Sequence, residues 1–288
     1  KMFYDLNLPE DPTDPSSKSR SSRERLAMAL KLDYDAVAVN HVVEGRPTAS
    51  DKCTLKAVEL EHILPHLPSG SPPALITQRL AGQSGMLQLS RLTVVLTDSA
   101  QAAELNAARE VLDSYDVVAV QPTSERTFQQ ACSILQADII TLDLTQRLPF
   151  RMRKPHVHAA LKRGLLFEIT YSGLLLGGKA RRHVISQAGV VVQAAGARGV
   201  LISSGASRAM ELRGAYDTVN LATFFQLSTA DAKAAMTTQC AKALAHGAAR
   251  RTYKGVVQLE DSSFADDAVD TSMHMQVDAS IMKATEGK

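Results

Sequence analysis

Leu92-Thr-Val-Val-Leu-Thr97, Val117-Val-Ala-Val120 and Ile139-Ile-Thr-Leu142 are three apolar, β-branched runs spaced by about one minimal strand–helix unit. The segments between them carry helical periodicity. Asp98 can cap a run that puts Leu105, Ala108 and Leu112 on one face, and Phe128, Ala131, Cys132 and Leu135 repeat at i, i+3, i+4, i+7. Strands that follow one another through short helical crossovers must lie parallel, with the helices covering the sheet. Outward from this centre the same rhythm continues, with strands expected at Met2 to Leu6, Ala36 to Asn40, Leu165 to Thr170 and Val200 to Ile202. Ser228 and Asp231 open a further helix with the stripe Ala232, Met236, Cys240 and Leu244, which Gly247 is expected to stop. Such a series closes most readily into a parallel βα barrel with outer helices, an open doubly wound sheet being the alternative. Seven strands rather than eight imply an irregular barrel.

The 288 residues, 45% of them apolar, suit one barrel-sized domain over 1–254, followed by an acidic tail over 255–288 that is expected to be disordered or docked on a partner. Pro9 to Ser22 reads as a mobile loop and Pro65 to Gly85 as a Pro/Gly-punctuated excursion. Cys53, Cys132 and Cys240 are too scattered for a disulfide framework or a cysteine zinc site, so a reducing compartment is expected. No run approaches the length of a membrane helix and the first residues do not resemble a secretory signal, which leaves nucleus or cytosol and no membrane partner.

A formal charge of only +2 argues against a strongly basic nucleic-acid binder, but the sum conceals a segregation. Residues 1–146 carry −6, 147–213 carry +10, 214–255 carry +3 and 256–288 carry −5. Nine of the twelve basic residues in 147–213 are arginines, whose planar forks suit phosphate oxygens, and only Glu168 and Glu211 oppose them. Arg147, Arg151, Arg153 and Lys154 surround a turn between a strand and a helix that Pro155 can open; Lys179, Arg181 and Arg182 start the next helix. This pattern points to the phosphate backbone of structured RNA. With aromatics at 5% and no Trp, stacking on single strands is disfavoured.

In a βα barrel the active mouth is built at the C-terminal ends of the strands, where Asp5, Asn7, Asn40, His41, Asp98, Gln121, Asp143, Tyr171, Ser172, Ser203 and Ser204 fall. A divalent-metal phosphoesterase would draw on Asp5, Asn7, His41, Asp98 and Asp143, a set poor in imidazole. Asp98 is expected to cap a helix instead. His156 and His158 are expected in the first turn of a helix, where i and i+2 diverge, and Pro65 breaks the i, i+4 pair His62 and His66. No phosphate-binding loop, dinucleotide fingerprint or nucleophile elbow is present.

Ten segments in order carry a family resemblance: Met2-Phe-Tyr-Asp-Leu-Asn-Leu-Pro9, Asp33-Tyr-Asp-Ala-Val-Ala-Val-Asn-His41, Ser90-Arg-Leu-Thr-Val-Val95, Ser114-Tyr-Asp-Val-Val-Ala-Val120, Arg147-Leu-Pro-Phe150, Lys162-Arg-Gly164, Phe167-Glu-Ile-Thr-Tyr171, Ala180-Arg-Arg182, Leu201-Ile-Ser-Ser204 and Glu211-Leu-Arg-Gly-Ala-Tyr-Asp217. Together they resemble the thirty-kilodalton protein subunit of eukaryotic and archaeal ribonuclease P. The resemblance implies a TIM-barrel-like fold related to the polymerase and histidinol phosphatase (PHP) superfamily. Where those metalloenzymes open with H-x-H, this chain has Asp5-x-Asn7, which implies a catalytically silent barrel without a metal or cofactor of its own. The implied role is a noncatalytic subunit that helps fold and clamp the catalytic RNA, whose Mg²⁺ would serve removal of the 5′ leader of precursor tRNA. The implied partners are that RNA, the related RNase MRP RNA and a small RRM-like protein subunit, in the nucleus and nucleolus. Arg91, Arg147, Arg151, Lys154, Lys179, Arg181, Arg182 and Arg213 are then the residues expected to approach RNA phosphates. Arg91 comes from the family segment alone and could instead pair with a core carboxylate, while Arg213 could pair with Glu211. Gly164 is expected to end a helix and Glu168 to neutralise part of the cluster.

Overall fold

A computed structural model describes residues 2–10, 20–67 and 85–252. The chain divides into a unit of residues 1–256 and a second of residues 257–288. The second, with the expected acidic tail, lies outside the described residues, as do 11–19 of the expected loop and 68–84 of the excursion. Seven parallel strands pair in chain order: β1 Tyr4–Pro9, β2 Ala36–Glu44, β3 Leu87–Leu96, β4 Val117–Pro122, β5 Ile139–Thr141, β6 Leu166–Thr170 and β7 Val200–Ser203. The sheet curls until its first and last strands meet, so the architecture is a nearly closed, TIM-barrel-like α/β fold and the open-sheet alternative falls away. Among the described residues no helix is long and apolar enough to cross a membrane.

The seam between β1 and β7 is bridged without a ladder. Gly205 N donates to Asn7 O at 3.0 Å, Ser204 Oγ to the same carbonyl at 3.1 Å, and Ser204 N to the Asp5 carboxylate at 2.9 Å. Asp5 is 1% exposed and its Oδ2 has no hydrogen-bond partner. Burial pushes its carboxyl up to about 6, although the hydrogen bonds from Ser204 and Asn7 pull the other way. A folded-state value above the ordinary ~3.9 means that the folded protein holds this proton more tightly than the unfolded chain. The associated stability is present in full below about pH 4 and lost as pH rises through about 6, a change of about 3 kcal/mol. Asp5→Asn is therefore expected to remove this component, so that the difference in denaturation midpoint between variant and parent moves between about pH 4 and 6 and is constant at higher pH.

Two apolar layers support the barrel. Outside, β-strand residues such as Val94, Val118, Ile140 and Phe167 pack against helical Leu26, Leu105, Phe128, Val157, Val184 and Ala232. Inside, Leu6, Ala38, Val117, Ala119, Ile139, Leu166 and Leu201 meet Cys240 and Ala243 of the helix Thr238–Arg251, which closes the N-terminal end of the strands. That helix departs from the sequence reading. The expected single stripe breaks at Thr237 (φ −123°, ψ −86°) into Thr229–Met236 and Thr238–Arg251, and Gly247 is no stop but lies within the second helix. Tertiary packing explains the glycine: a Cβ there would collide with the backbone oxygen of Asp116. The run after Asp98 likewise breaks at Ala108, between Gln101–Ala107 and Arg109–Asp113.

Candidate nucleic-acid interface

Above the inner apolar layer the barrel interior turns polar. Arg91 and Glu168 are both fully buried and pair through two bonds, Nη1 to Oε1 at 2.5 Å and Nη2 to Oε2 at 2.6 Å. Arg91 also donates to Leu6 O and Thr93 Oγ1, and Ser203 Oγ donates to Glu168 at 2.7 Å. Asn7, Asn40 and Thr93 extend the chain of bonds, Asn7 reaching Glu168 at 3.4 Å and Asn40 reaching Asn7 at 2.8 Å. Burial alone would push the Glu168 carboxyl up, but the Arg91 charge, with hydrogen bonds from Arg91, Ser203 and Thr141, outweighs it and holds the group below its ordinary value.

This corrects two expectations. Arg91 pairs with a core carboxylate, the alternative its position left open, and its guanidinium is fully buried rather than on the basic face; Glu168 offsets Arg91 and leaves the surface arginines alone. Asn7 likewise belongs to this network. The remaining candidates for a metal centre are dispersed. Asp5 seals the seam, His41 Nδ1 lies 2.7 Å from Glu10, Asp98 turns back on the amide of Ala100, and Asp143 accepts from the amide and hydroxyl of Thr145. Among the described residues no three His, Cys, Asp or Glu side chains are grouped to hold a metal ion. His156 and His158 fall in the first turns of the helix Lys154–Lys162, as the preceding Pro155 implied.

The basic face forms where the loops after β5 and β6 meet. Loop residues 142–153 are anchored by Phe150, which stacks on the buried Phe128 at a ring separation of 4.8 Å. Because Phe150 points inward, the flanking Arg147 and Arg151 are left exposed, and with Met152, Gln187, Val190 and one carboxylate, Glu125, they line a concavity of about 690 Å³ against the helix Gly178–Ala195. Lys154 begins the adjoining helix, and Lys179, Arg181 and Arg182 lie among the first five residues of Gly178–Ala195. These six cations are exposed, and none forms an ion pair among the described residues. Arg181 is oriented by a 2.7 Å bond from Nε to Leu174 O, while Arg153 is tied to Glu125 at 3.2 Å. Gly164 (φ +89°) ends the helix Lys154–Lys162 as its sequence position implied.

Arg213 stands apart from the six. It is half-buried, its guanidinium donates to Met210 O and Leu212 O at 2.8 Å, and Glu211 accepts from the amides of Ser207 and Arg208. The alternative Arg213–Glu211 pair is replaced by backbone contacts of each residue. Gln187 was not foreseen, since a polar residue in mid-helix carries no signal of the loop it will face.

A family model described as RNase P subunit p30 matches residues 2–252, which takes in every described strand and helix. The chain belongs to the RNase P subunit p30 family. Ribonuclease P protein subunit p30 of Mus musculus is 33% identical over 272 residues, covering 94% of this chain and 95% of the relative. Ribonuclease P/MRP protein subunit RPP1 of Saccharomyces cerevisiae is 24% identical over 218 residues, covering 74% of this chain and 69% of the relative. A chain from a cryo-EM structure of archaeal ribonuclease P with mature tRNA has the same fold, with a TM-score of 0.59 at 12% identity, covering 90% of this chain and 99% of that chain. In this p30 family member the seven-stranded barrel, the buried Arg91–Glu168 pair and the six free cations all fall within the span that the family model matches.

Proposed function

We propose that the chain is a noncatalytic, RNA-contacting subunit of a ribonuclease P particle, holding the catalytic RNA that removes the 5′ leader of precursor tRNA. The observation that carries this reading is the set of six exposed cations, Arg147 and Arg151 on the loop after β5 and Lys154, Lys179, Arg181 and Arg182 at the starts of two helices, none of them in an ion pair among the described residues. Like charges held together this way repel one another and gain most when a polyanion neutralises them. Arginine predominates among them, which suits bidentate contact with phosphate. Contacts of this kind recognise the backbone and shape of folded RNA rather than base sequence.

Family membership supports a place in the particle, and the name of the yeast relative supports a second place in RNase MRP. The proposed partners are the two RNAs and a small RRM-like protein subunit, in the nucleus and nucleolus, with Mg²⁺ belonging to the catalytic RNA. The dispersal of Asp5, His41, Asp98 and Asp143 speaks against the phosphoesterase reading. The test is recovery of the full-length tagged chain from its own cells. A structured RNA with precursor-tRNA-cleaving activity is expected to come with it, and the double variant Arg151→Glu, Arg182→Glu is expected to retain much less of that RNA. Equal recovery with parent and variant would refute the assignment of the face.

A further inference from the structure

A second feature lies at the other end of the barrel. The residues preceding β6 and β7, together with the helix Thr238–Arg251, line a pocket of about 430 Å³, within the size range of small-ligand sites. Leu161, Leu165 and Ala195 give it apolar walls. Gln239 also lines it; this side chain is 3% exposed, yet its Oε1 has no hydrogen-bond partner among the described residues. Arg198 and Lys242 stand on the rim, exposed, and among the described residues neither forms an ion pair and no carboxylate lines the pocket. A buried acceptor left unsatisfied costs about 1–3 kcal/mol, so the site is incomplete as it stands and wants a donor.

We propose that this pocket takes one unstacked ribonucleotide of an RNA chain. The apolar walls cover the faces of the base, the Gln239 carbonyl accepts from a ring N–H or exocyclic amine on the base edge, and Arg198 and Lys242 take the phosphate. Every nucleobase offers a face and at least one such donor, so the pocket selects the presence of a flipped base more than its identity. A peptide anchor would satisfy the walls equally, but an apolar side chain has no use for two unpaired cations and a phosphate does. The proposal depends on the RNA reading only for the source of the nucleotide; its residues lie at the end of the barrel opposite the basic face.

The experiment is a titration of the ¹⁵N-labelled full-length chain with the four ribonucleoside 5′-monophosphates, with a short single-stranded RNA and with inorganic phosphate at matched ionic strength. The Gln239 side-chain amide and the Gly199 backbone amide are the reporters. The monophosphates are expected to shift both, the RNA to do so at lower concentration, and phosphate to leave Gln239 unmoved. Gln239→Leu removes the unpartnered oxygen at similar size, so it is expected to melt no lower than the parent while binding about tenfold more weakly. Lys242→Ala, at an exposed position, is expected to weaken binding as well. No shift with any nucleotide, shifts reproduced by phosphate alone, a monophosphate response without an RNA response, or an unaffected Gln239→Leu variant would each overturn the proposal. Failure here with loss of RNA on reversal of Arg151 and Arg182 would leave the basic face standing.

Discussion

Arg91→Ala is expected to destabilise the fold by about 3–5 kcal/mol, read as a fall in the urea denaturation midpoint with the slope of the transition preserved. The reason is the partner it leaves behind. Glu168 is fully buried, and without the guanidinium its charge is held only by Ser203, Thr141 and a long contact from Asn7. Whole domains are stable by about 5–15 kcal/mol, so this one truncation removes a large share. Replacing the pair together, Arg91→Met with Glu168→Leu, is expected to cost much less than the two single changes summed, since no unpaired charge remains. A decrease below about 1 kcal/mol for Arg91→Ala would mean that the pair is not desolvated as its geometry implies.

Gly247→Ala should be comparably damaging, and its direction is the informative part. Glycine inside a helix is ordinarily about 1 kcal/mol worse than alanine, so helix propensity alone forecasts stabilisation. Here a methyl group would overlap the backbone oxygen of Asp116 and meet the Asp138 carboxylate at 3.2 Å. Backbone cannot swing aside as a flexible side chain can, so the helix Thr238–Arg251 must lift away from the barrel. That helix inserts Cys240 and Ala243 into the inner core, and its Arg250 donates to Leu112 O and Tyr115 O while His246 holds the buried Asp138 at 2.7 Å. Destabilisation by about 3 kcal/mol or more in thermal or urea unfolding is expected. A variant as stable as the parent would show that the helix end is not seated on β4.

The barrel itself was legible because each strand is a short β-branched run between helical stretches, a pattern set by local residues alone. All seven strands overlap the runs that pattern marked, although β1 extends to Pro9 and β3 begins five residues earlier, at Leu87. The helical breaks at Ala108 and Thr237 were not legible, since hydrophobic stripes such as Ala232, Met236, Cys240 and Leu244 run through them unchanged. Gly247 misled for a related reason: a glycine that permits a close approach looks the same in sequence as one that ends a helix. Arg91 carried a usable signal. It begins the alternation Arg91, Thr93 on β3, is in register with Asn40 on β2, and Glu168 sits in the otherwise apolar run Leu166 to Ile169. Two charges of opposite sign embedded in apolar barrel strands foretell an internal pair more readily than a surface contact. The exposed cations could be found from charge segregation, but their union into one face required the loop anchored by Phe150. The orphaned oxygen of Gln239 leaves no trace in sequence at all.

The central claim is that Arg151, Arg182 and their neighbours meet RNA phosphates, and the salt dependence of affinity for the particle's RNA tests it most directly. Binding of the full-length chain is measured from low to physiological salt for the parent and for Arg151→Glu, Arg182→Glu. Each neutralised phosphate releases counterions, so the slope of log affinity against log salt is expected to flatten by about one for every phosphate that the variant no longer neutralises, or about two for the pair. An unchanged affinity with an unchanged slope would contradict the account.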